Sequence, residues 1–367
     1  MTFRIKKTGI TMAMGALITI LAISCQPQDR YIIISGFAQG GVYTVKLNLN
    51  GQDGMIDAKP EEIKDSIDHI LSGIEASLSG YNRNSLLSRF NDGETIRPDT
   101  YFTDMYSQAY RFYETTGGAV DVAAGPIFDL WGFGFKSGSV PEDGQIDQAK
   151  LTSGMKRLCK DIHAVIAESN GNLCSRDIIE TSVTDDALPQ LNFNAIAQGY
   201  SCDVVASYLY SLGVKDMMVD IGEILCDGKN PSGGQWSLGI DRPKDGNDTP
   251  GADLQGIFKV PEGPHGIVTS GNYRKFYISE GRKYAHTIDP RTGRPVTHNL
   301  LSATIVAADA MTADAYATYC MVIGLEDARN FISSSEELEG CLVYDENGIF
   351  KTWCSEGFLL EDINADL

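Results

Sequence analysis

The sequence predicts an α+β fold in which mixed helices pack with a largely antiparallel sheet. Three observations point there. Helical periodicity is confined to a few long stretches, near residues 60–78, 102–113, 194–212 and 311–324. Between residues 217 and 278 short strand patterns follow one another through turns with no helix between them. Strands and helices therefore come in blocks and not in βαβ alternation, which argues against a doubly wound parallel sheet. The 367 residues suffice for one large domain or two of ordinary size.

The first element is a glycine-rich β segment from Tyr31 to about Leu49, alternating through Val42-Tyr-Thr-Val-Lys-Leu47. Lys59-Pro60-Glu-Glu opens a helix, with proline in the first turn and acids at its positive end. Ile63, Ile67, Ile70, Ile74 and Leu78 share one face, and Ser79-Gly80 ends it. After a short Leu86–Phe90 segment comes a helix with an aromatic stripe of Phe102, Met105, Tyr106, Ala109 and Tyr113, which reads as core. Leu130-Trp-Gly-Phe-Gly-Phe135 is apolar and punctuated by glycine, and residues 137–187 form a poorly readable excursion. A helix over Asn194–Leu212 turns Tyr200, Val204, Val205, Tyr208, Leu209 and Leu212 inward, with Gly213 at its C-terminal cap. Strands are expected at Met217–Ile221, Trp236–Ile240, Gly256–Val260, Gly266–Thr269 and Arg274–Ile278, with a loop at Lys244–Pro250. Helices over Met311–Gly324 and from Glu326 precede two terminal strands, Gly340–Tyr344 and Phe350–Trp353.

Composition is globular, with 43% apolar and 22% charged residues and a net charge of −19. Such a chain repels nucleic acid and anionic lipid surfaces, which excludes DNA- and RNA-binding classes. It also repels an anionic nucleotide unless a cation or the positive end of a helix intervenes. Residues 1–25 read as an export signal: Arg4, Lys6 and Lys7, an apolar run from Ile10 to Ile23, then Ser24-Cys25. The small residue before Cys25 matches a bacterial lipobox, with Ala22 where Leu or Val is usual. The expectation is a lipoprotein of the cell envelope, anchored through Cys25 and facing the periplasm, with residues 26–367 as its globular part. Seven further cysteines contain no CxxC pair and no metal-site spacing with histidine. In an oxidising compartment Cys159 with Cys174 is one candidate disulfide, and Cys341 with Cys354 another.

The richest chemistry lies near the C-terminal third. Asp314 and Thr318 sit four apart, so a helix puts a carboxylate and a hydroxyl on one face, a turn apart. Two hard oxygen ligands with open positions suit Mg²⁺ shared with a substrate's phosphates. His286, before the turn Asp289-Pro-Arg-Thr-Gly293, is a candidate for proton transfer. Thr269-Ser-Gly271 reads as a turn whose hydroxyls and amides cradle phosphate.

Six segments in order carry a resemblance: Ser79–Asn91; Gly118-Ala-Val-Asp121 with Leu130-Trp-Gly-Phe-Gly134; Asn192-Phe-Asn-Ala-Ile-Ala-Gln-Gly-Tyr200; Val268-Thr-Ser-Gly-Asn-Tyr273; His286–Gly293; and Ala313-Asp-Ala-Tyr-Ala-Thr318. Together they strongly resemble the ApbE family of flavin transferases, from about Phe37 to about Tyr344. The resemblance implies a T-fold-related body with a flavin-binding cleft, FAD as substrate and Mg²⁺ as cofactor. It also implies transfer of FMN through a phosphoester to a Thr or Ser hydroxyl of an exported flavoprotein, with release of AMP. An FAD pyrophosphatase giving FMN and AMP, or a non-catalytic lipid-anchored flavin-binding protein, are the alternatives. Carried over residue by residue, the family pattern puts the Ala195 carbonyl with Asp314 and Thr318 as metal ligands and His286 at the pyrophosphate. Gln39, Tyr81, Ala119, Val120, Asp121, Asn192, Gln198, Thr269, Ser270, Gly271 and Thr287 become the FAD contacts, with Tyr81 stacking on a ring face. The chain departs from the pattern at several points. Gln39 and Gly41 replace Met and Thr, Asn192 replaces Asp, Gln198 stands where Lys or Glu is frequent, and Ile221-Gly-Glu-Ile224 is one glycine short of a Gly-Gly-Glu turn.

Overall fold

The computed structural model describes residues 30–361 except 137, 181–186, 248, 250, 274 and 275. The proposed signal and Cys25 lie outside the described residues, as does Pro250 of the expected loop.

The chain opens with a hairpin, β1 (Tyr31–Ala38) and β2 (Gly41–Asn48), followed by a short ladder of β3 (Asn50–Gly51) and β4 (Gly54–Met55). Helix α1 (Pro60–Leu78) starts on its proline, and the Glu62 carboxylate reaches back to the Lys59 amide. Then come α2 (Leu86–Asn91), α3 (Thr100–Thr115) capped by Asp99, and α4 (Gly125–Trp131). Within the excursion lie α5 (Asp143–Thr152), a single 3₁₀ turn at Met155–Arg157, and α6 (Ile162–Glu168). Helix α7 (Ala197–Ser211) leads to the hairpin β5 (Met217–Asp220) and β6 (Ile224–Asp227). Next are β7 (Ser237–Asp241), β8 (Leu254–Lys259), β9 (His265–Gly271), and the hairpins β10 (Phe276–Ser279) with β11 (Arg282–Ala285) and β12 (Ile288–Asp289) with β13 (Arg294–Pro295). The chain closes with β14 (Leu300–Ala307), α8 (Ala310–Ile323), α9 (Leu325–Ser333), β15 (Glu339–Glu346), β16 (Ile349–Cys354) and β17 (Leu360–Glu361).

The predicted α+β class holds. Eight strands form one sheet in the order β1-β2-β5-β6-β9-β14-β15-β16, antiparallel at every pairing. One face carries helices: Ile63, Ile67 and Leu71 of α1 and Val205 and Leu209 of α7 pack on Val45, Leu47 and Val219. Farther along the same face, Ala313, Ala317 and Cys320 of α8 and Ile332 of α9 cover Val268, Ile305 and Leu342. The opposite face is covered by the three-stranded sheet β17-β8-β7 through Leu238, Ile240 and Phe258 against Ile267 and Val306. The aromatic stripe of α3 is core at Phe102, Met105, Tyr106 and Ala109, which are fully buried, while Tyr113 at its end is half-buried against them.

Several elements differ from the sequence expectation. Strand β14 is absent from the sequence expectation because it is buried on both faces, with Ile305 facing the helices and Val306 the second sheet. It also carries Ser302 and Thr304 inside, so polarity does not mark a solvent face. Helix α7 begins at Ala197 and not at Asn194, and its inward face runs through Cys202, Val205, Ala206 and Leu209, leaving Val204 and Tyr208 half-buried. The strand expected from Arg274 starts at Phe276, residues 274 and 275 lying outside the described set. The excursion is no separate body. Its Met155, Leu158, Ile162, Leu173 and Ile178 enter the core around α3.

Helices α7 and α8 touch backbone to backbone. A Cβ on Gly199 would stand 2.4 Å from the Ala310 carbonyl oxygen and 2.7 Å from the Met311 Cα. Gly199→Ala is therefore expected to force the helices apart and to lower unfolding free energy by about 1–3 kcal/mol, read from urea denaturation. An unchanged denaturation midpoint would mean that the crossing yields easily.

Candidate active site

The α7–α8 crossing places the central carboxylate. Three acceptors fix the start of α8: Asp309 Oδ1 takes the Thr312 amide (2.7 Å), while Asp203 of α7 takes the Ala310 (2.8 Å) and Met311 (2.9 Å) amides. One turn on, Asp314 is 5% exposed and accepts the Gly199 amide on Oδ2 at 3.2 Å. Asp314 thus serves the packing of α7 on α8 as well as any ligand. In a regular helix the Gly199 amide would turn to the Ala195 carbonyl; here it is drawn to Asp314, and Ala195 faces the cavity. Burial holds the Asp314 carboxyl well above the usual carboxylate range, the Gly199 amide works against that, and the charge of Asp203 adds to it.

Asp314 and Thr318 line a cavity of about 610 Å³ between α7, α8, the end of β9 and the β11–β12 connection. The same wall holds Ala195, His286, Thr287, Thr269, Ser270, Gly271, Asn192, Gln198, Ala119, Val120, Asp121 and Tyr81. The candidate residues drawn from most of the chain length thus share one concave surface. Gln39 is the exception. It turns the β1–β2 hairpin at a φ of 52°, and its side chain donates to Ser201 on α7. Cys25 lies outside the described residues.

Local hydrogen bonds explain each posture. Asn192 Oδ1 accepts the Asn194 amide at 3.0 Å, shaping the entry to α7. Gln198 donates to the Ile221 carbonyl at 3.3 Å and ties α7 to the β5–β6 turn. Thr287 donates to Asn272 Oδ1 at 2.6 Å. Thr269-Ser-Gly271 is the end of a strand and not a turn: Thr269 pairs with Thr304 of β14 in register, and their hydroxyls share a hydrogen bond at 2.8 Å. Asp289 closes its own turn by binding Arg291 through Nε (2.9 Å) and Nη2 (3.0 Å), so the Asp-Pro-Arg-Thr-Gly segment is a structural turn. Tyr81 stands at the rim, 69% exposed, its hydroxyl meeting Asn194 Nδ2 at 3.2 Å and its ring set edge-on against Phe135. An exposed ring held from two sides is a ready stacking platform.

The wall also contains residues not singled out as contacts: Phe128, Phe133, Glu223, Tyr273, Phe276 and Met321. Phe133 stacks on Tyr277 and meets the His286 ring edge-on. The available sequence signal was the glycine on either side of Phe133.

Among the described residues no group of three or more His, Cys, Asp or Glu side chains is placed to hold a metal. A divalent cation here would rest on one carboxylate, one carbonyl and one hydroxyl, all hard oxygens, with positions left for phosphate. A buried carboxylate with a single amide donor and no ion pair among the described residues fits that group.

These features coincide with known proteins. The family model described as "ApbE family" matches residues 40–342. The chain belongs to the ApbE family. It is 31% identical over 346 residues to the FAD:protein FMN transferase of Vibrio cholerae, covering 92% of this chain and 95% of that protein. The Escherichia coli K12 FAD:protein FMN transferase is 34% identical over 310 residues, 83% of each chain. The structure superposes on the flavin transferase ApbE from Vibrio cholerae with a TM-score of 0.73 at 30% identity, covering 90% of this chain and 100% of that one. As in that family, the body is mixed helices on a large antiparallel sheet.

Asp121 gives a pH test within this ApbE-family site. Its Oδ1 accepts the Ala123 (2.9 Å) and Met155 (3.0 Å) amides, yet burial pushes the carboxyl up to about 6. A folded-state value above the unfolded value of about 3.9 means that the native state binds the proton more tightly. Stability from this group therefore falls as pH rises from about 4 to about 6. Asp121→Asn, which keeps an acceptor oxygen, should flatten that part of the profile in urea denaturation run across this range. An equally steep profile in the variant would assign the slope to other groups.

Proposed function

We propose that this protein is an FAD:protein FMN transferase. It moves FMN from FAD to a Thr or Ser hydroxyl of an exported flavoprotein, forms a phosphoester, and releases AMP in a Mg²⁺-dependent reaction. The observation that carries the reading is the meeting of Asp314, Thr318 and the Ala195 carbonyl with His286 and the Thr269–Gly271 strand end on one wall. The names of the relatives, FAD:protein FMN transferases, support transfer of FMN from FAD to a protein. The exported setting and a Cys25 lipid anchor rest on residues 1–25 alone.

Pyrophosphate cleavage asks a protein mainly to position groups and stabilise charge. When bound, Mg²⁺ supplies charge neutralisation on the phosphate oxygens, which a chain of net charge −19 needs before it can hold a dinucleotide. Asp314, Thr318 and Ala195 would hold the ion, and the hydroxyls of Thr269 and Ser270 would offer hydrogen bonds to phosphate. Tyr81 takes a ring of the ligand at the rim and so orients the FMN half. The acceptor hydroxyl oxygen bonds to the FMN phosphorus as the bond from that phosphorus to the AMP oxygen breaks. His286 receives the proton that the hydroxyl loses. The exposed rim leaves room for a protein segment to approach.

The deciding assay incubates the purified protein with FAD and Mg²⁺, with and without an exported flavoprotein fragment, and reads AMP and the fragment's intact mass. AMP together with an FMN mass increment is expected. AMP without an increment would reassign the protein as an FAD pyrophosphatase, and bound FAD without AMP as a flavin-binding protein. In the same assay Asp314→Asn, which keeps an oxygen for the Gly199 amide, should lower turnover on the order of 100-fold or more with little change in melting temperature. His286→Ala should slow AMP release by roughly 100-fold or more while FAD affinity is kept. Equal loss of rate and affinity would make His286 a binding contact only.

A further inference from the structure

At the edge of the main sheet, away from the cleft, Cys341 of β15 stands directly opposite Cys354 of β16. The neighbouring pair, Gly340 and Ser355, is joined by the Ser355 amide donating to the Gly340 carbonyl at 2.9 Å. The cysteines therefore occupy a non-hydrogen-bonded position, where facing Cα atoms come to about 4.5 Å and side chains are closest. That spacing lies within the range a disulfide spans. The two Sγ atoms are already 3.1 Å apart. Cys341 is fully buried against the second sheet, and Cys354 is half-buried beside it. All four thiols are free in this structure, but the other candidate pair shows no such approach, since Cys174 turns its thiol to the Gly93 carbonyl.

We propose that Cys341 and Cys354 form a cross-strand disulfide that staples the C-terminal arm to the sheet. Closure proceeds by exchange with a small-molecule or protein disulfide. The Cys354 thiolate attacks one sulfur of that disulfide, giving a mixed disulfide and releasing the first thiol. The Cys341 thiolate then attacks the Cys354 sulfur and releases the second. Two cysteine protons and two electrons leave, and the acceptor disulfide becomes two thiols. The staple sits where the chain turns away from the sheet. Just beyond it Phe358 stacks on Phe258 with ring centroids 4.1 Å apart, and Leu360 pairs with Phe258 in β8. Joining residues 13 apart also closes a loop that limits the unfolded chain.

The test equilibrates the full-length protein with oxidised glutathione, denatures it, blocks free thiols with iodoacetamide and maps the peptides by mass. A linked Cys341–Cys354 peptide is expected, with Cys159, Cys174, Cys202, Cys226 and Cys320 alkylated. Reduction should then lower the melting temperature by about 5 °C. The double variant Cys341→Ala with Cys354→Ala should melt at the same temperature with and without reductant. Alkylation of both cysteines, a glutathione adduct on Cys354 alone, or a melting temperature indifferent to reductant in the parent protein would each overturn the proposal.

Discussion

The cleft depends on one contact, the place where α7 and α8 meet at Gly199. With no side chain between the two backbones, the start of α8 lies close enough for Asp203 to cap it and for Asp314 to take the Gly199 amide. That single amide has three consequences. It holds the helices in register, keeps a buried carboxylate in a fixed rotamer, and spares the Ala195 carbonyl from the helix ladder. A site that needs hard oxygens at fixed positions thus uses the same atoms that pack its walls. The arrangement is also exposed to damage, because a change at Asp314 that removes the acceptor oxygen would disturb the helix packing together with the chemistry.

Charge sets the second constraint. A strongly acidic chain keeps a buried acid at the centre of its cleft, an arrangement that the proposed cation would complete. Most polar positions around it are neutral, Asn192, Gln198, Thr269, Ser270, Thr287 and Thr318, with Asp121 and Glu223 as further acids on the wall. Asn192 and Gln198 stand where the family pattern favours charged residues, yet both are occupied in shaping the backbone, one at the entry to α7 and the other at the β5–β6 turn. Losing charge there leaves the architecture intact and, in the proposed reading, would place more of the electrostatic work on the cation.

How much of this was legible in the sequence depended on how local each signal was. Asp314 and Thr318 were readable as a pair because helical spacing is a property of the chain itself. The aromatic stripe of α3 was readable for the same reason. Ala195 was not, since a main-chain carbonyl has no side-chain signature and only the ordered family segments pointed to that position. Thr269-Ser-Gly271 looked like a turn because its composition suits one, whereas pairing with β14, itself hidden by burial on both faces, makes it extended. Gln39 fits the family segment by position yet turns to Ser201, a contact fixed by how the hairpin tip meets α7. Phe133 and Phe276 reach the cavity through long-range packing that local pattern does not encode.

The order of strands in the main sheet carries one more consequence. Strand β2 pairs with β5, Thr44 meeting Asp220 and Leu47 meeting Met217, so the first hairpin has no neighbour until the middle of the chain arrives. The cleft waits longer still, since its walls run from Tyr81 to Met321. Contacts this distant in sequence form late, after the loops between them have closed. A chain that stops short of α8 therefore has some of the walls and no complete cavity. The cavity is thus a product of the whole fold, and no short stretch of the chain carries it.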